Sequence, residues 1–141
     1  MTYYEIVSFL DNMITKPIDS KLINELNNIE INLEGNRYYR FIGQINYVLT
    51  ERLRLYMDRL IDKIKTMTFS KEDLILEMSN LTNEVDFLKQ ISAINLIKKE
   101  NHKEFVKSII KNNNELIEGI KEYFSDEEYL RIIDGYILTE V

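Results

Sequence analysis

The chain has 141 residues, of which 45% are hydrophobic and 30% charged, and a formal net charge of −6. This composition is typical of one soluble folded domain, here residues 1–141, and it excludes a disordered chain. Because the chain has no cysteine, a disulfide framework, a thiolate nucleophile and a cysteine-based metal site are excluded. We predict a cytoplasmic protein.

Helical spacing of apolar residues predicts two helices in the first part of the chain. Thr2 and Glu5 have the spacing of a capping box at the start of the first helix, and Pro17 ends that segment. Asp19 or Ser20 can cap the second helix. The positions predicted to face the core are Tyr3, Ile6, Val7, Leu10, Met13 and Ile14 in the first helix, and Leu22, Ile23, Leu26, Ile29 and Leu33 in the second.

The third helix is predicted to run from about Asn36 to about Thr66, after a stop signal at Gly35. At ~1.5 Å per residue, such a helix is about 45 Å long. Two apolar stripes follow it, so it is either central in a bundle or partly exposed for a partner chain. The main stripe consists of Tyr38, Ile42, Ile45, Leu49, Leu53, Tyr56, Leu60, Ile64 and Met67, and the second of Phe41, Val48 and Leu55.

The fourth helix is predicted to form an antiparallel hairpin with the third, because only a short connection separates them. Ser70 and Asp73 form an aspartate variant of the capping box at its start. Its apolar positions alternate spacings of four and three, which is a heptad-like seam. This seam consists of Leu74, Met78, Leu81, Val85 and Leu88.

A fifth and a sixth helix complete the predicted fold. Lys98 and Lys99 suit the C-terminus of the fourth helix, and Asn101 suits the N-terminus of the fifth, although one kinked continuous helix is the alternative. Ser125 with Glu128 opens the last helix. Since no alternating strand pattern or internal repeat was identified, we predict an all-α fold. It is a single bundle of five to six helices with a long central antiparallel hairpin.

The positive charge of the chain is concentrated on the third helix. Five of the six arginines lie between Arg37 and Arg59. From Arg37 to Lys65 there are seven basic and three acidic residues, which gives +4 and leaves −10 for the rest of the chain. Such asymmetry can mark an anion-binding stripe or the basic side of an internal ion-pair network.

The basic residues of this helix form two lines at ~100° per residue. Arginine suits phosphate binding because its guanidinium is planar and permanently charged, and an exposed tyrosine can stack on an unpaired base. The candidate nucleic-acid contacts are Arg40, Tyr47, Arg54 and Lys65 in one line, and Arg37, Arg52, Arg59 and Lys63 in the other.

The same helix supports two other interpretations. Glu51, Asp58 and Asp62 lie three or four residues from basic residues, so ion pairs along the helix could be purely structural. The stripe of Phe41, Val48 and Leu55 could instead contact a protein partner or a second copy of the chain. Two local irregularities accompany these stripes: Gly43 suggests a close backbone approach, and Asn46 is placed on the core-facing side, where it could fix register.

No catalytic motif or metal-binding pattern was found, so we predict no enzyme activity, no cofactor and no metal. The single His102 is expected in a solvated connector. No apolar run reaches the ~20 residues that a bilayer requires, and the start of the chain lacks the basic segment of a signal peptide.

The segment from Phe41 to Leu49 resembles a helical segment near the C-terminal end of large subunits of type I-B CRISPR effector complexes. The matching residues are Phe41, Gly43, Gln44, Tyr47 and Leu49. In such systems this helical region can also be made separately, as a small subunit of about this length. The resemblance implies a role in antiviral defence, in which basic side chains contact guide RNA or a displaced DNA strand.

Two functional hypotheses follow. The first is a non-enzymatic, all-helical interaction subunit that contacts nucleic-acid backbone through its arginine-rich helix. The second is a small adaptor or inhibitor, for example encoded by a mobile element, that binds a protein partner or self-associates through helical apolar faces.

Overall fold

The computed structural model describes residues 2–140, and the regular structure of these residues is entirely α-helical. The predicted all-α fold is therefore confirmed. The six helices of this part of the chain are α1 (Tyr3–Asn12), α2 (Ser20–Asn27), α3 (Asn36–Thr66), α4 (Lys71–Ser92), α5 (Lys99–Lys121) and α6 (Glu127–Asp134).

Helices α3 and α4 form the predicted antiparallel hairpin at the centre of the fold. Contacts between them join Arg52 to Glu84 and Lys63 to Glu77, so residue numbers rise along one helix as they fall along the other. The start of α4 is fixed by the predicted capping box, in which the Ser70 hydroxyl and the Asp73 carboxylate each accept the other's backbone N–H. The local sequence therefore sets where the hairpin turns.

Helix α5 packs against both members of the hairpin and runs parallel to α3. The Tyr38 hydroxyl of α3 donates to Asn101 at the start of α5, and Lys65 at the end of α3 lies over the ring of Tyr123 near the end of α5. Helices α1 and α2 contact α3 and α4 respectively, and α6 contacts α4 and α5. One continuous core of buried apolar residues joins all six helices of the described chain.

Helix α2 ends at Asn27, earlier than predicted, and this last residue is hydrogen-bonded to the connection between α4 and α5. The Asn27 carbonyl accepts from the Asn95 side chain at 3.1 Å, and its side chain accepts from the Asn95 backbone at 3.2 Å. In the segment that follows Asn27, half-buried apolar residues alternate with exposed polar ones. The half-buried residues are Ile29, Ile31 and Leu33.

The connection between α4 and α5 is a true break, but its caps differ from those predicted. Lys98 and Lys99 lie at the start of α5, not at the end of α4. Asn101 does not cap the helix, since its side chain accepts the Tyr38 hydroxyl at 2.5 Å. At the other end of the chain, Asp126 rather than Ser125 caps α6.

Two of the three residues of the second apolar stripe of α3, Phe41 and Val48, are part of the core, which corrects their assignment to a candidate docking surface. Phe41 and Val48 are fully buried, and Leu55 is half-buried. Helix α3 is thus the central helix, with neighbours on both apolar faces. The main stripe also ends earlier than predicted, because Met67 lies beyond the last turn of α3 and is exposed.

Two further predictions about α3 and one about α5 are wrong. Gly43 has open space where a side chain would stand, so no backbone approaches it. Asn46 is exposed rather than core-facing. His102 belongs to α5, not to a solvated connector. Its Nδ1 lies 3.1 Å from the carbonyl of Ser92, the last residue of α4, so it satisfies a helix end.

Candidate nucleic-acid interface

The basic residues of α3 fall into two groups, which differ in the surroundings that the fold gives them. The C-terminal half of the helix, residues 51–66, contains all of its acidic residues. The N-terminal half, residues 36–50, contains no aspartate or glutamate.

Arg52 is a structural residue and is removed from the set of candidate nucleic-acid contacts. It is only 8% exposed and makes a bidentate ion pair with Glu84, with N–O distances of 2.6 and 3.1 Å. The same guanidinium donates to the carbonyls of Met13 and Lys16, both at 2.5 Å. These carbonyls follow the end of α1, so Arg52 fastens α1 to the central hairpin and satisfies its free helix terminus.

Arg54 is exposed but engaged on both sides along the helix. It pairs with Glu51 at 2.7 Å and with Asp58 at 2.9 Å. The hydrogen bond from Arg54 lowers the pKa of the Glu51 carboxyl below its usual value, and the same contact raises the pKa of Arg54. Two carboxylates therefore neutralise the arginine that sequence spacing placed in line with Arg40 and Tyr47.

Lys63 is also engaged, because it donates to Glu77 of α4 at 2.8 Å. Glu77 in turn accepts from the hydroxyl of half-buried Tyr56, and burial raises the pKa of Tyr56 well above its usual value. Lys65 lies 5.7 Å from the ring centre of Tyr123, a cation–π distance. These contacts bind the C-terminal half of α3 to its neighbouring helices.

Arg59 is exposed. Within residues 2–140, the predicted pairs of Asp62 with Arg59 and with Lys65 do not form. Arg59 is the one candidate of the C-terminal half for which no ion pair or cation–π contact is recorded among the described residues. It lies beside acidic side chains rather than in an acid-free stretch.

The N-terminal half of α3 presents aromatic and basic side chains to solvent. Tyr39 is 73% exposed and Tyr47 is 51% exposed. Arg40 is exposed and, among the residues that the structure describes, has no ion-pair partner. Between them lie the exposed uncharged residues Gly43 and Asn46. We call Tyr39, Arg40, Gly43, Asn46 and Tyr47 the tyrosine–arginine surface.

Arg37 lies at one end of this surface and stacks on the first helix. Its guanidinium carbon is 5.7 Å from the ring centre of Tyr3, which is itself buried. On the other side of α3, Lys98 lies 4.6 Å from the ring centre of Tyr38. These cations rest on aromatic rings rather than on carboxylates, so their positive charge is not neutralised locally.

Sequence reasoning missed Tyr39, which is among the most exposed aromatic side chains of the described chain. It lies one position before Arg40 and outside both apolar stripes, and that position was a usable signal. The absence of carboxylates between residues 36 and 50 was a second signal. Both signals are present in the sequence, but they indicate an exposed surface only once the apolar stripes are known to be buried.

Chemically, the tyrosine–arginine surface can stack planar groups and hold an anion, whereas nothing in it activates a nucleophile. Exposed tyrosines offer faces for unpaired bases, and the free guanidinium offers donors for phosphate. Within residues 2–140 there is no group of three or more histidine, aspartate or glutamate side chains that could hold a metal ion. In the same residues, no helix has the length and apolar character needed to cross a membrane.

The resemblance to CRISPR effector subunits rests on residues that the fold places in different surroundings. Phe41 and Leu49 are buried, Gln44 donates to Asp11 of α1, and only Gly43 and Tyr47 are exposed. Comparison of the chain with protein-family models, curated proteins and solved structures finds no significant match. Membership of that family therefore stays a prediction.

Proposed function

We propose that this chain is a non-enzymatic helical interaction protein that binds single-stranded nucleic acid on the tyrosine–arginine surface. One observation carries the proposal. Tyr39 and Tyr47 are exposed beside Arg40, on a helical stretch without any carboxylate, in a protein whose net charge is −6. If the acidic residues were evenly distributed along the chain, some of them would lie on this stretch of the helix.

Magnitudes indicate that stacking, rather than charge, would supply most of the affinity. Stacking of a base on an aromatic side chain is worth ~1–3 kcal/mol. Only Arg37 and Arg40 are available for phosphates on this half of α3. At about −0.7 per neutralised phosphate, they give a modest slope of about −1.4 in log K against log salt. The proposed binding is therefore weakly dependent on salt and strongly dependent on the tyrosines.

The test is fluorescence anisotropy with labelled dT15 and U15 oligonucleotides over a range of salt concentrations. Tyr47→Ala is expected to weaken binding roughly 5- to 150-fold, which corresponds to ~1–3 kcal/mol. Arg40→Gln is expected to reduce the salt slope by about 0.7. Matched controls are Tyr123→Ala and Arg131→Gln, which lie away from this surface and should leave both quantities unchanged. The proposal fails if the unmodified protein does not bind, or if the controls weaken binding equally.

A narrower proposal places this binding in a CRISPR effector complex, with guide RNA or the displaced DNA strand as ligand. It is supported only by the resemblance of the Phe41–Leu49 segment. Genes for effector subunits next to the gene for this chain, and co-purification with those subunits, would support it. Binding of oligonucleotides without either result would leave a nucleic-acid-binding protein of another system.

A second candidate function is docking onto a protein. It is favoured by exposed apolar side chains near the turn of the α3–α4 hairpin. Met67 is 58% exposed and Leu76 is 59% exposed, and both lie close to the turn between α3 and α4. Exposed large apolar side chains in one region can mark a protein interface. Light scattering after size exclusion should show self-association that Leu76→Asp abolishes. A monomer at all concentrations would exclude self-association through this region.

A further inference from the structure

An apolar groove with a basic rim runs along the outer face of α5, away from the tyrosine–arginine surface. Its volume is about 570 Å³, within the usual range for ligand sites. Its lining consists of His102, Lys103, Val106, Lys107, Ile110, Lys111 and Glu140.

The lysines of the groove form a regular row along α5. Lys103, Lys107 and Lys111 follow one another at intervals of four residues, so they share one face of α5. All three are exposed, and none makes an ion pair with another described residue. Between them, Val106 and Ile110 provide an apolar floor. A ligand for this groove needs several negative charges and an apolar side.

The same face of α5 already holds a non-helical segment of backbone. The side-chain amide of Asn114 donates to the Leu138 carbonyl at 2.9 Å and accepts from the Leu138 N–H at 2.8 Å. These two bonds are those that a neighbouring strand would make. The segment then leads to Glu140, which lines the groove together with the lysine row. Backbone therefore approaches the groove along α5, with an acidic residue at its edge.

We propose that the groove binds an extended acidic peptide of a partner protein, in which acidic and apolar residues alternate. Side chains on one side of an extended chain recur every ~6.6 Å, and lysines four residues apart on a helix recur every ~6.0 Å. Three alternate carboxylates therefore match the row from Lys103 to Lys111. The apolar residues between them face Val106 and Ile110.

The proposal is tested with a fluorescein-labelled peptide of sequence Glu-Leu-Glu-Leu-Glu-Leu and the full chain. Lys107→Glu reverses the central charge and is expected to weaken binding roughly three- to thirtyfold. Glu140→Gln removes the one acidic residue of the lining and should strengthen binding. Lys21→Glu, an exposed lysine on α2, is the matched control and should leave the affinity unchanged. Circular dichroism confirms that each variant is folded.

Several outcomes would overturn the proposal. Absence of peptide binding, or equal loss in Lys21→Glu, would show that the row does not recognise acidic peptides. Equal binding of a Lys-Leu-Lys-Leu-Lys-Leu peptide would show that charge plays no part. Binding of dodecanoate without binding of the peptide would assign the groove to a small amphipathic anion. Displacement of the peptide by dT15 would place the lysine row in the nucleic-acid surface. Failure of dT15 to bind the protein would overturn only the proposed binding of single-stranded nucleic acid and not the peptide site.

Discussion

The two halves of α3 differ in both the number and the surroundings of their basic residues, with two in residues 36–50 and five in residues 51–66. In residues 51–66, Arg52, Arg54 and Lys63 are each bound to carboxylates. In residues 36–50, no carboxylate is present, and Arg40 stands between two exposed tyrosines. The comparison teaches that the positions of the acidic residues, rather than those of the arginines, determine which part of a basic helix is free to bind a ligand.

The strongest test of this contrast is the stability of variants in the two halves. Arg52→Ala should lower the free energy of unfolding by about 3–5 kcal/mol, because it leaves the Glu84 carboxylate half-buried without its partner. It also removes the donors to the carbonyls of Met13 and Lys16. Arg40→Ala should change the same quantity by less than about 0.5 kcal/mol. Urea unfolding measures both. A loss from Arg40→Ala as large as that from Arg52→Ala would refute the division of the helix.

A second test concerns the exposed glycine of the N-terminal half. Gly43→Ala should raise the free energy of unfolding by about 1 kcal/mol, because alanine is the better helix former and its methyl group would meet no neighbour. The matched variant is Gly119→Ala in α5, where the new methyl group would lie 2.9 Å from the Met57 side chain. Urea unfolding should show a smaller gain there. If Gly43→Ala stabilises the protein but weakens oligonucleotide binding, the ligand lies close to the backbone at that position.

The smallest expected effect is on the ionisation of Glu51. Its pKa is lowered in the folded protein, chiefly by the hydrogen bond from Arg54. Its contribution to stability is therefore present above the usual pKa of 4.5 and is lost as the pH falls through the lower folded value. Arg54→Gln should return the pKa towards 4.5 in an NMR titration. Arg40→Gln should not change it, and a shift in that variant would mean that the two arginines share one charge network.

The elements that were predicted correctly are those whose signals are local. The bounds of α3 agree with its apolar spacing and with the stop at Gly35, and the start of α4 agrees with the pattern of Ser70 and Asp73. Helix α2 shows the opposite case. Ile29 and Leu33 fit a helical spacing, but with Ile31 they also fit an alternating one, and the bonds between Asn27 and Asn95 decide in favour of the second.

The candidate site was predicted only in part, because burial depends on partners far away in the chain. Arg52 and Arg54 are two residues apart and look equivalent in the sequence. Glu84, which holds Arg52, is 32 residues away, and the carbonyl of Met13 is 39 residues away. Phe41 and Val48 likewise looked available for a partner until α3 proved to be central. Contacts between residues so far apart in sequence cannot be predicted from the spacing of neighbouring residues.

The sequence by itself determined the all-α fold, the long helix from Asn36 to Thr66 and the concentration of arginine on it. It did so because helical periodicity and capping act over three to four residues. Only the tertiary structure decided that Arg52 and Lys63 are paired with carboxylates of α4 and that Tyr39, Arg40 and Tyr47 remain exposed. The physical reason is that a charge is free or paired according to the carboxylates that packing brings within reach, and packing joins residues that are distant in sequence.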